Sequence, residues 1–397
     1  MNQMKMKTTT TKWTFTLLTA LLLAPLAVLH AADAPAIQWI ELTATAGGGK
    51  GFVQLSSGEV LATRTQCKSS ETLVVCSCSK DGGRTWRELS TIARVPGKQD
   101  LGDGHLIQLK SGEVLYSFRQ NFTSGGAKEA RTYSIRVAAS RDGGKSWQPH
   151  SVVAESTAAS DALRGAPRGL WSSFLLAMRD ETLLCFYDDE ATPDREGFHG
   201  HQWLMAKTWD PRQKAWVQPV IVSRGPSQQL SRDGMASVVE LESGRLLVAL
   251  ESAQTEKPHA NLIRFVTSDD GGRTWSWQTK DRGVLFEPSD RRHMAVAPWL
   301  AQCPDGTLIC VFATDEDRTE TDQPGTPPAQ FHMDIKCVLS CDGGSSWTQR
   351  AQTVFTDSHR CYAPGLAVLQ DSSLLLTFID FATRSVRALH GDVTREY

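Results

Sequence analysis

An eight-residue motif that occurs four times constrains the fold of this chain more than any other feature. The motif reads Ser-x-Asp-x-Gly-x-Ser/Thr-Trp, and we call it the Asp turn; its copies are residues 79–86, 140–147, 268–275 and 340–347. A short carboxylate beside a Gly-Gly turn can accept hydrogen bonds from the amides of that turn, while the Trp fills an apolar gap. Each copy predicts a turn between two strands, and such spacing indicates a stacked or radial all-β architecture.

A second repeat alternates with the Asp turns and predicts a β-hairpin. It consists of an apolar strand, a tight polar turn and a strand rich in Leu and Val, and its six copies are residues 55–61, 109–115, 178–184, 241–247, 303–309 and 369–375. Ser-Gly and Asp-Gly between apolar runs are standard hairpin signals. One hairpin plus one Asp turn gives four strands, so six units predict an all-β, six-bladed propeller with four-stranded antiparallel blades.

Two irregular segments fit the same architecture. Residues 208–216 are a degraded Asp turn in the third unit, and the chain ends before the sixth unit can form one. Residues 37–44 have the character of a strand but no hairpin partner of their own. We predict that this strand completes the last blade and removes an open sheet edge.

The amino terminus and the overall composition define the compartment and exclude some partners. Residues 1–32 place lysines before an apolar run and then small residues, the order of a secretory signal peptide, which leaves residues 33–397 for the propeller. We therefore expect an exported protein, periplasmic or secreted, with no membrane association after removal of the signal. A formal charge of -2 without a run of like charges argues against nucleic-acid binding. We expect a monomer.

The chain has nine cysteines, an odd number that leaves at least one without an intramolecular partner. Cys76 and Cys78 lack a matching second pair, so a zinc site is not predicted. Cys303 and Cys310 flank a hairpin turn and could face each other, although buried thiols are the favoured interpretation. We predict no metal ion and no cofactor.

Strand direction predicts where a site would lie. The start of the first strand and the end of the second strand of each blade meet at one end of the channel, which we call the mouth, and loops there are free to carry function. Charged or aromatic candidates from all six units fall at these points: Arg64, Asp103, Arg119, Trp171, Glu190, Arg232, Asp233, Glu251, His293, Arg318, Arg360 and Tyr362. The structural alternative is that solvated strand ends collect charge without a common purpose.

A glycosidic bond is usually broken by two facing carboxyl groups, one an acid and the other a nucleophile or base. Glu190 and Glu251, on adjacent blades, form the favoured pair, and Asp103 and Asp233 are substitutes. The candidate arginines could fork onto a sugar carboxylate or hold hydroxyls. We expect Trp171 to stack on a sugar ring.

The repeats resemble the sialidase superfamily, whose Asp boxes have this pattern and whose catalytic domains are six-bladed propellers. That resemblance implies a Tyr nucleophile paired with a Glu and three arginines that bind the substrate carboxylate. Tyr362 lies where such a tyrosine is expected. The early Arg-Ile-Pro motif of sialidases has no match here, and Glu251 occupies the place of the second arginine.

Three stretches are similar to family 93 glycoside hydrolases, which trim arabinan from chain ends. They are residues 115–121, 186–190 and 233–239. This resemblance implies that Glu190 is the nucleophile and Glu251 the acid/base. The sequence thus predicts an exo-acting, sialidase-like glycoside hydrolase that removes sialic acid or a similar terminal sugar. A family 93-like exo-arabinanase and a non-catalytic glycan-binding propeller are alternatives, and the choice between retaining and inverting chemistry stays open.

Overall fold

The structure is a computed structural model that describes residues 35–42, 48–122, 131–158, 169–225, 230–254, 261–279, 282–318 and 332–394. The predicted signal peptide, residues 1–32, lies outside these ranges. Twenty-four strands in the described part of the chain form six four-stranded antiparallel sheets. The predicted all-β, six-bladed propeller is confirmed.

Each blade runs from an inner strand at the channel to an outer strand at the rim. The strands of blades 1 to 3 are β2 (Val53–Gln54), β3 (Val60–Cys67), β4 (Glu71–Ser79), β5 (Arg87–Pro96), β6 (Asp100–Gln108), β7 (Val114–Asn121), β8 (Arg131–Ser140), β9 (Gln148–Ala158), β10 (Leu170–Ala177), β11 (Leu183–Asp189), β12 (Trp203–Asp210) and β13 (Ala215–Ser223). Those of blades 4 to 6 are β14 (Ser231–Glu240), β15 (Leu246–Gln254), β16 (Leu262–Ser268), β17 (Gly283–Phe286), β18 (Ala295–Gln302), β19 (Leu308–Thr314), β20 (Asp334–Ser340), β21 (Gln352–Phe355), β22 (Cys361–Val368), β23 (Leu374–Asp380), β24 (Ser385–Thr394) and β1 (Ala36–Glu41). A helix, α1 (Ala191–Arg195), and a 3₁₀ turn, Ser276–Gln278, accompany them.

The amino-terminal strand closes the ring, as the sequence predicts. β1 pairs with β24 in a continuous antiparallel register from Ala36 opposite Thr394 to Glu41 opposite Leu389. The first and last blades are also joined at their inner hairpins, where Gln54 Oε1 accepts a hydrogen bond from the Gln370 amide at 2.7 Å. An open sheet edge in the last blade is thereby paired.

The Asp turns have the hydrogen bonds that their sequence predicts. In the first copy, Asp81 Oδ1 accepts the Thr85 amide at 2.8 Å and Ser79 Oγ accepts the Gly83 amide at 2.8 Å. The hydrogen bond from the Thr85 hydroxyl is the main reason that the pKa of Asp81 falls to about 2. The Trp86 indole donates to Gly83 O at 2.8 Å, which fixes the ring against the turn.

Five of the six inner strands contain a β-bulge. In each, one extra residue shifts the pairing register in the first half of the strand. In four of them the first bulged residue is left-handed, namely Asp103 (φ 52°), Met235 (φ 49°), Ala297 (φ 52°) and Ala363 (φ 49°). A bulge bends its strand and redirects the neighbouring side chains. These bulges lie toward the mouth and give it its shape.

Three aromatic rings fill the channel just past the bulges. His105 stacks on Phe174 with ring centroids 3.9 Å apart, and Trp299 meets His105 edge-on at 5.3 Å. Burial lowers the pKa of His105 to about 3, so its ring is neutral. These rings line one end of a cavity of about 650 Å³ that continues along the inner strands toward Gln108 and Gln302, away from the mouth.

All nine cysteines lie in described ranges and are free thiols, seven of them buried. Cys303 and Cys310 are therefore not joined, and the buried-thiol interpretation is the one that agrees with the structure. Within the described ranges, no helix has the length and apolar character to cross a membrane.

Candidate active site

Asp103 is the centre of an ion-pair network at the mouth. Lys50 Nζ lies 2.7 Å from its Oδ1, Arg119 Nη1 pairs with its Oδ2, and Ser172 Oγ donates to Oδ2 at 2.9 Å. Burial opposes ionisation of this carboxyl, but Lys50 and then Arg119 outweigh it, so the pKa of Asp103 lies well below its ordinary value. Asp103 is therefore charged at neutral pH.

Arg119 links this network to Asp100, the first residue of β6, and to the ring of Trp171. Its Nε donates to Asp100 Oδ1 at 2.8 Å, and its guanidinium carbon lies 5.7 Å from the Trp171 ring centroid. The predicted substrate residues Arg119 and Trp171 are thus brought together. The guanidinium is already paired with two carboxylates, Asp100 and Asp103.

Glu251 lies on β15 opposite Gly234, next to the bulge of the fourth inner strand. Its Oε2 accepts the Ala297 amide of the fifth blade at 2.8 Å. Burial raises the pKa of Glu251, and the negative charge of Asp103 acts in the same direction; the Ala297 amide and the cations Lys50 and Arg232 act against it. The net upward shift favours the protonated acid.

Tyr362 faces the same group of carboxylates from the sixth blade. Its hydroxyl lies 3.7 Å from the Met235 sulfur. Burial is the main reason that the pKa of Tyr362 lies well above its ordinary value, and the charges of Glu251 and Asp103 add to the shift. The phenol is therefore held in its protonated form.

Glu190 follows the end of β11 and is only 1 % exposed. Its Oε2 accepts the Gly169 amide at 2.8 Å, and its Oε1 pairs with Arg232. Arg232 also donates to Gln202 Oε1 at 2.8 Å and lies close enough to Glu251 to affect its pKa. Arg232 is therefore paired with Glu190 and lies near Glu251.

Asp188 is a mouth residue that the sequence predictions did not select, although it lies within residues 186–190, one of the stretches that resemble family 93 enzymes. It is 2 % exposed, and its two carboxylate oxygens accept the Met235 amide at 3.1 and 3.2 Å. Burial raises the pKa of Asp188 well above its ordinary value, and the charge of Glu251 raises it further. Lys50 was missed as well, because it lies in a Gly-rich stretch without other charges.

Two predicted residues have contacts that point away from this network. Asp233 is completely buried and forms an ion pair with Arg282, with further hydrogen bonds from Ser223 Oγ at 2.6 Å and Ser252 Oγ at 3.0 Å. It anchors the strands that carry Arg232 and Glu251. Arg64 is half exposed and contacts Glu88, 3.4 Å away on the outer strand of its own blade.

The last three predicted residues lie in blades 5 and 6. His293 Nδ1 is 3.5 Å from Asp315 Oδ1 in the fifth blade, and the Arg318 amide donates to Asp315 O at 2.9 Å. Arg360 immediately precedes β22 and donates its backbone N–H to Ser358 Oγ at 3.3 Å. It lies two residues before Tyr362.

The residues joined by these contacts are here called the mouth cluster: Lys50, Asp100, Asp103, Arg119, Asp188, Glu190, Arg232, Glu251 and Tyr362. Five members are acids and three are bases, and every base contacts at least one acid. Within the ranges described, no group of three His, Cys, Asp or Glu side chains is arranged to hold a metal ion. The cluster offers buried carboxyl groups of unlike pKa, an arrangement that suits acid–base chemistry.

Comparison with known proteins gives one family match and one curated relative. Residues 115–380 match the family described as BNR repeat-like domain. A sialidase from Micromonospora viridifaciens is 23% identical over 292 residues, which is 68% of this chain and 39% of that protein. The chain thus spans well under half the length of this relative.

Solved structures with the same fold include two fungal enzymes. The Penicillium chrysogenum alpha-L-arabinanase complexed with arabinobiose has a TM-score of 0.62 at 18% identity, covering 89% of this chain and 98% of its own. The family 93 alpha-L-arabinofuranosidase of Fusarium graminearum with arabinobiose has a TM-score of 0.61 at 18% identity, covering 90% and 97%. At this identity the likeness concerns the fold.

Proposed function

The chain belongs to the BNR repeat-like family within the sialidase-like superfamily, and from this premise we propose that it is an exo-acting glycoside hydrolase whose active site is the mouth cluster. The observation that carries the proposal is the state of Glu251. It is a partly buried carboxyl group beside Asp103 and Asp188 whose pKa is raised. A raised pKa favours the protonated form of a carboxyl group, and in that form it can protonate the leaving oxygen of a glycoside.

Glu190 is the proposed partner of Glu251 on the other side of the bond. Its contacts with Arg232 and the Gly169 amide favour a fixed carboxylate, which is what a nucleophile or base requires. Asp103 is charged as well, but its three contacts from Lys50, Arg119 and Ser172 suit a residue that orders the site. The anomer of the first product distinguishes a retaining from an inverting reaction.

The pairing of the mouth-cluster arginines supports a neutral terminal sugar over a sialic acid. Arg119 and Arg232 are both committed to carboxylates of the chain itself. A sugar carboxylate would have to displace these partners and leave a carboxylate of the site without its counter-ion, which is electrostatically unfavourable. A family 93-like arabinanase activity therefore fits the site better than sialidase activity.

A second candidate, the sialidase reaction, is supported by the proximity of Tyr362 to Glu251. In that reaction Tyr362 attacks the sugar and Glu251 takes its proton, so Glu251 must be ionised. The raised pKa of both groups works against this assignment. The two candidates thus require opposite protonation states of Glu251.

The test is mass spectrometry of the products when the mature protein is incubated with sialyllactose and linear arabinan. Arabinose release that is lost in Glu251→Gln and Glu190→Gln but kept in Tyr362→Phe supports the proposal. Release of sialic acid that Tyr362→Phe abolishes supports the second candidate. If neither product appears and the protein binds a glycan array, the enzyme assignment is wrong and the chain is a binding module.

We also propose that the protein is exported and is a monomer. The charge and apolar order of residues 1–32 supports a cleaved signal. The mass of the protein recovered outside the cytoplasm tests cleavage, and analytical ultracentrifugation tests the oligomeric state.

A further inference from the structure

Asp188 is a buried acid at a position that is apolar in the neighbouring blades. In five blades one residue of the second strand lies opposite the inner-strand bulge, between the register pairs that flank it. In blade 3 this residue is Asp188, and in the others it is Phe118, Leu250, Phe312 and Phe378, all buried. An apolar side chain is therefore sufficient for packing at this position. A carboxyl group here adds a desolvation cost without a packing benefit, which points to a functional role.

The backbone beside Asp188 is shaped to admit this carboxyl group next to Glu251. A Cβ added to Gly234 would lie 2.7 Å from Asp188 Oδ2 and 2.4 Å from Gln202 Nε2, so the Asp188 carboxyl occupies the space over the bare Gly234 Cα. Gly234 is the register partner of Glu251. The two acids thus both adjoin Gly234, and the Met235 amide holds Asp188 there.

The charged groups around this pair are few. Glu251 faces Lys50, Arg232 and Asp103, while Asp188 faces Glu251, Lys50 and Asp103. Tyr362 is close to both acids. Lys50 is paired with Asp103, and Arg232 with Glu190, so neither cation is dedicated to Asp188 or Glu251. Asp188 is buried, Glu251 is partly buried, and neither has a dedicated cation. The pair should therefore carry fewer than two negative charges, because neighbouring like charges oppose each other's ionisation.

We propose that Asp188 is a positioning residue that shares protons with Glu251 and thereby keeps Glu251 protonated for its role as acid. This inference rests on the proposed function only where it assigns Glu251 the role of acid. The coupling of the two carboxyl groups does not depend on turnover. The raised pKa of both groups agrees with it. Glu251 transfers its proton to the leaving oxygen of the glycoside and is protonated again from solvent or from the attacking water. The number of protons on the pair is therefore restored after each turnover.

The coupling is tested by thermal unfolding of Asp188→Asn, Glu251→Gln and the double variant at pH 7 and pH 3. Asn can still accept the Met235 amide, so Asp188→Asn should raise Tm at pH 7 by a few degrees and leave it unchanged at pH 3. The gain should be smaller in the Glu251→Gln background, because one substitution already relieves the repulsion. Asp188→Asn combined with Glu240→Gln, at the far end of β14, should give additive shifts.

Additive shifts of Asp188→Asn and Glu251→Gln, or a lower Tm at pH 7 in both Asp188→Asn and Asp188→Leu, would overturn the coupling. Asp188→Leu also lacks the charge and restores the apolar side chain of the other blades, so a loss confined to Asp188→Asn would come from its amide group and not from the missing charge. In the active enzyme, Asp188→Asn should move the basic limb of kcat/KM down by about one pH unit. An unmoved limb with non-additive Tm shifts would overturn the role of Glu251 as acid while leaving the coupling intact.

Discussion

The Lys50 amine of the first blade lies 2.7 Å from the Asp103 carboxylate of the second, so one blade supplies the counter-ion for a site residue of the next. Asp103 itself has left-handed backbone geometry, with φ of 52°. Such a conformation is costly for a residue with a side chain and persists where surrounding contacts fix it. Lys50, Arg119 and Ser172 provide those contacts.

Replacement of Lys50 by Met should weaken both the fold and the site. Asp103 would keep its charge with only Arg119 as counter-ion, and we expect a loss of about 1–2 kcal/mol in unfolding free energy at pH 7, since the pair is only partly buried. The pKa of Asp103 is strongly depressed in the folded state, so its carboxylate stabilises the fold above the ordinary value of 3.8 and loses this effect only as pH falls through the much lower folded pKa. Urea unfolding at pH 7 and pH 3 measures the deficit, and its disappearance at pH 3, where Asp103 is still ionised, would contradict the ion-pair explanation.

Replacement of Glu251 by Gln should abolish turnover without loss of stability. Loss of the proton donor should lower kcat by at least about 100-fold. The pKa of Glu251 is raised on folding, so its ionisation destabilises the native state as pH rises above the ordinary value of 4.5, and the Gln variant should melt at the same or a higher temperature at pH 7. Glu240→Gln is the matched control and should keep full activity. A cooperative loss of fold in Glu251→Gln would show that the side chain is structural.

Replacement of Gly234 by Ala should damage the site more than an equivalent change nearby. The new Cβ would meet Gln202 Nε2 at 2.4 Å and Asp188 Oδ2 at 2.7 Å, and such overpacking costs about 1–3 kcal/mol. Gly49→Ala is the control, because an added Cβ there has no neighbour within 4 Å. The Tm measured by calorimetry and the kcat/KM should both fall for Gly234→Ala and stay near the wild-type values for Gly49→Ala. Equal values for the two variants would refute the close approach of Asp188 to Gly234.

Replacement of Asp81 by Asn should give an acid-dependent loss of stability at the rim. The Thr85 hydroxyl lowers the pKa of Asp81 from 3.8 to about 2, so the carboxylate stabilises the fold above pH 3.8 and loses this effect as pH falls through 2. The Tm of Asp81→Asn should therefore lie below that of the wild type at pH 7 and converge with it near pH 2. The exposed Asp392→Asn on β24 should change little at either pH, and a similar shift in both variants would point to net charge instead.

Repetition made the fold accessible from the sequence. Six hairpin signals and four Asp turns each specify local hydrogen bonds, so they predict the strand order of a blade without reference to distant residues. The unpaired strand at residues 37–44 predicted ring closure by the same logic, and β1 occupies Ala36–Glu41. Strand direction placed Glu190, Glu251, Asp103 and Tyr362 at one mouth.

The sequence determined the blades, their number and the end of the channel where charge collects, because these depend on local turns and strand alternation. Tertiary structure decided which charged side chains meet. Inner-strand bulges interrupt alternation, and they set Asp188 beside Gly234 while Asp233 is directed to Arg282. The ring brings Lys50 to Asp103 across a blade boundary. Contacts of this kind depend on the packing of adjacent blades, which no single repeat encodes.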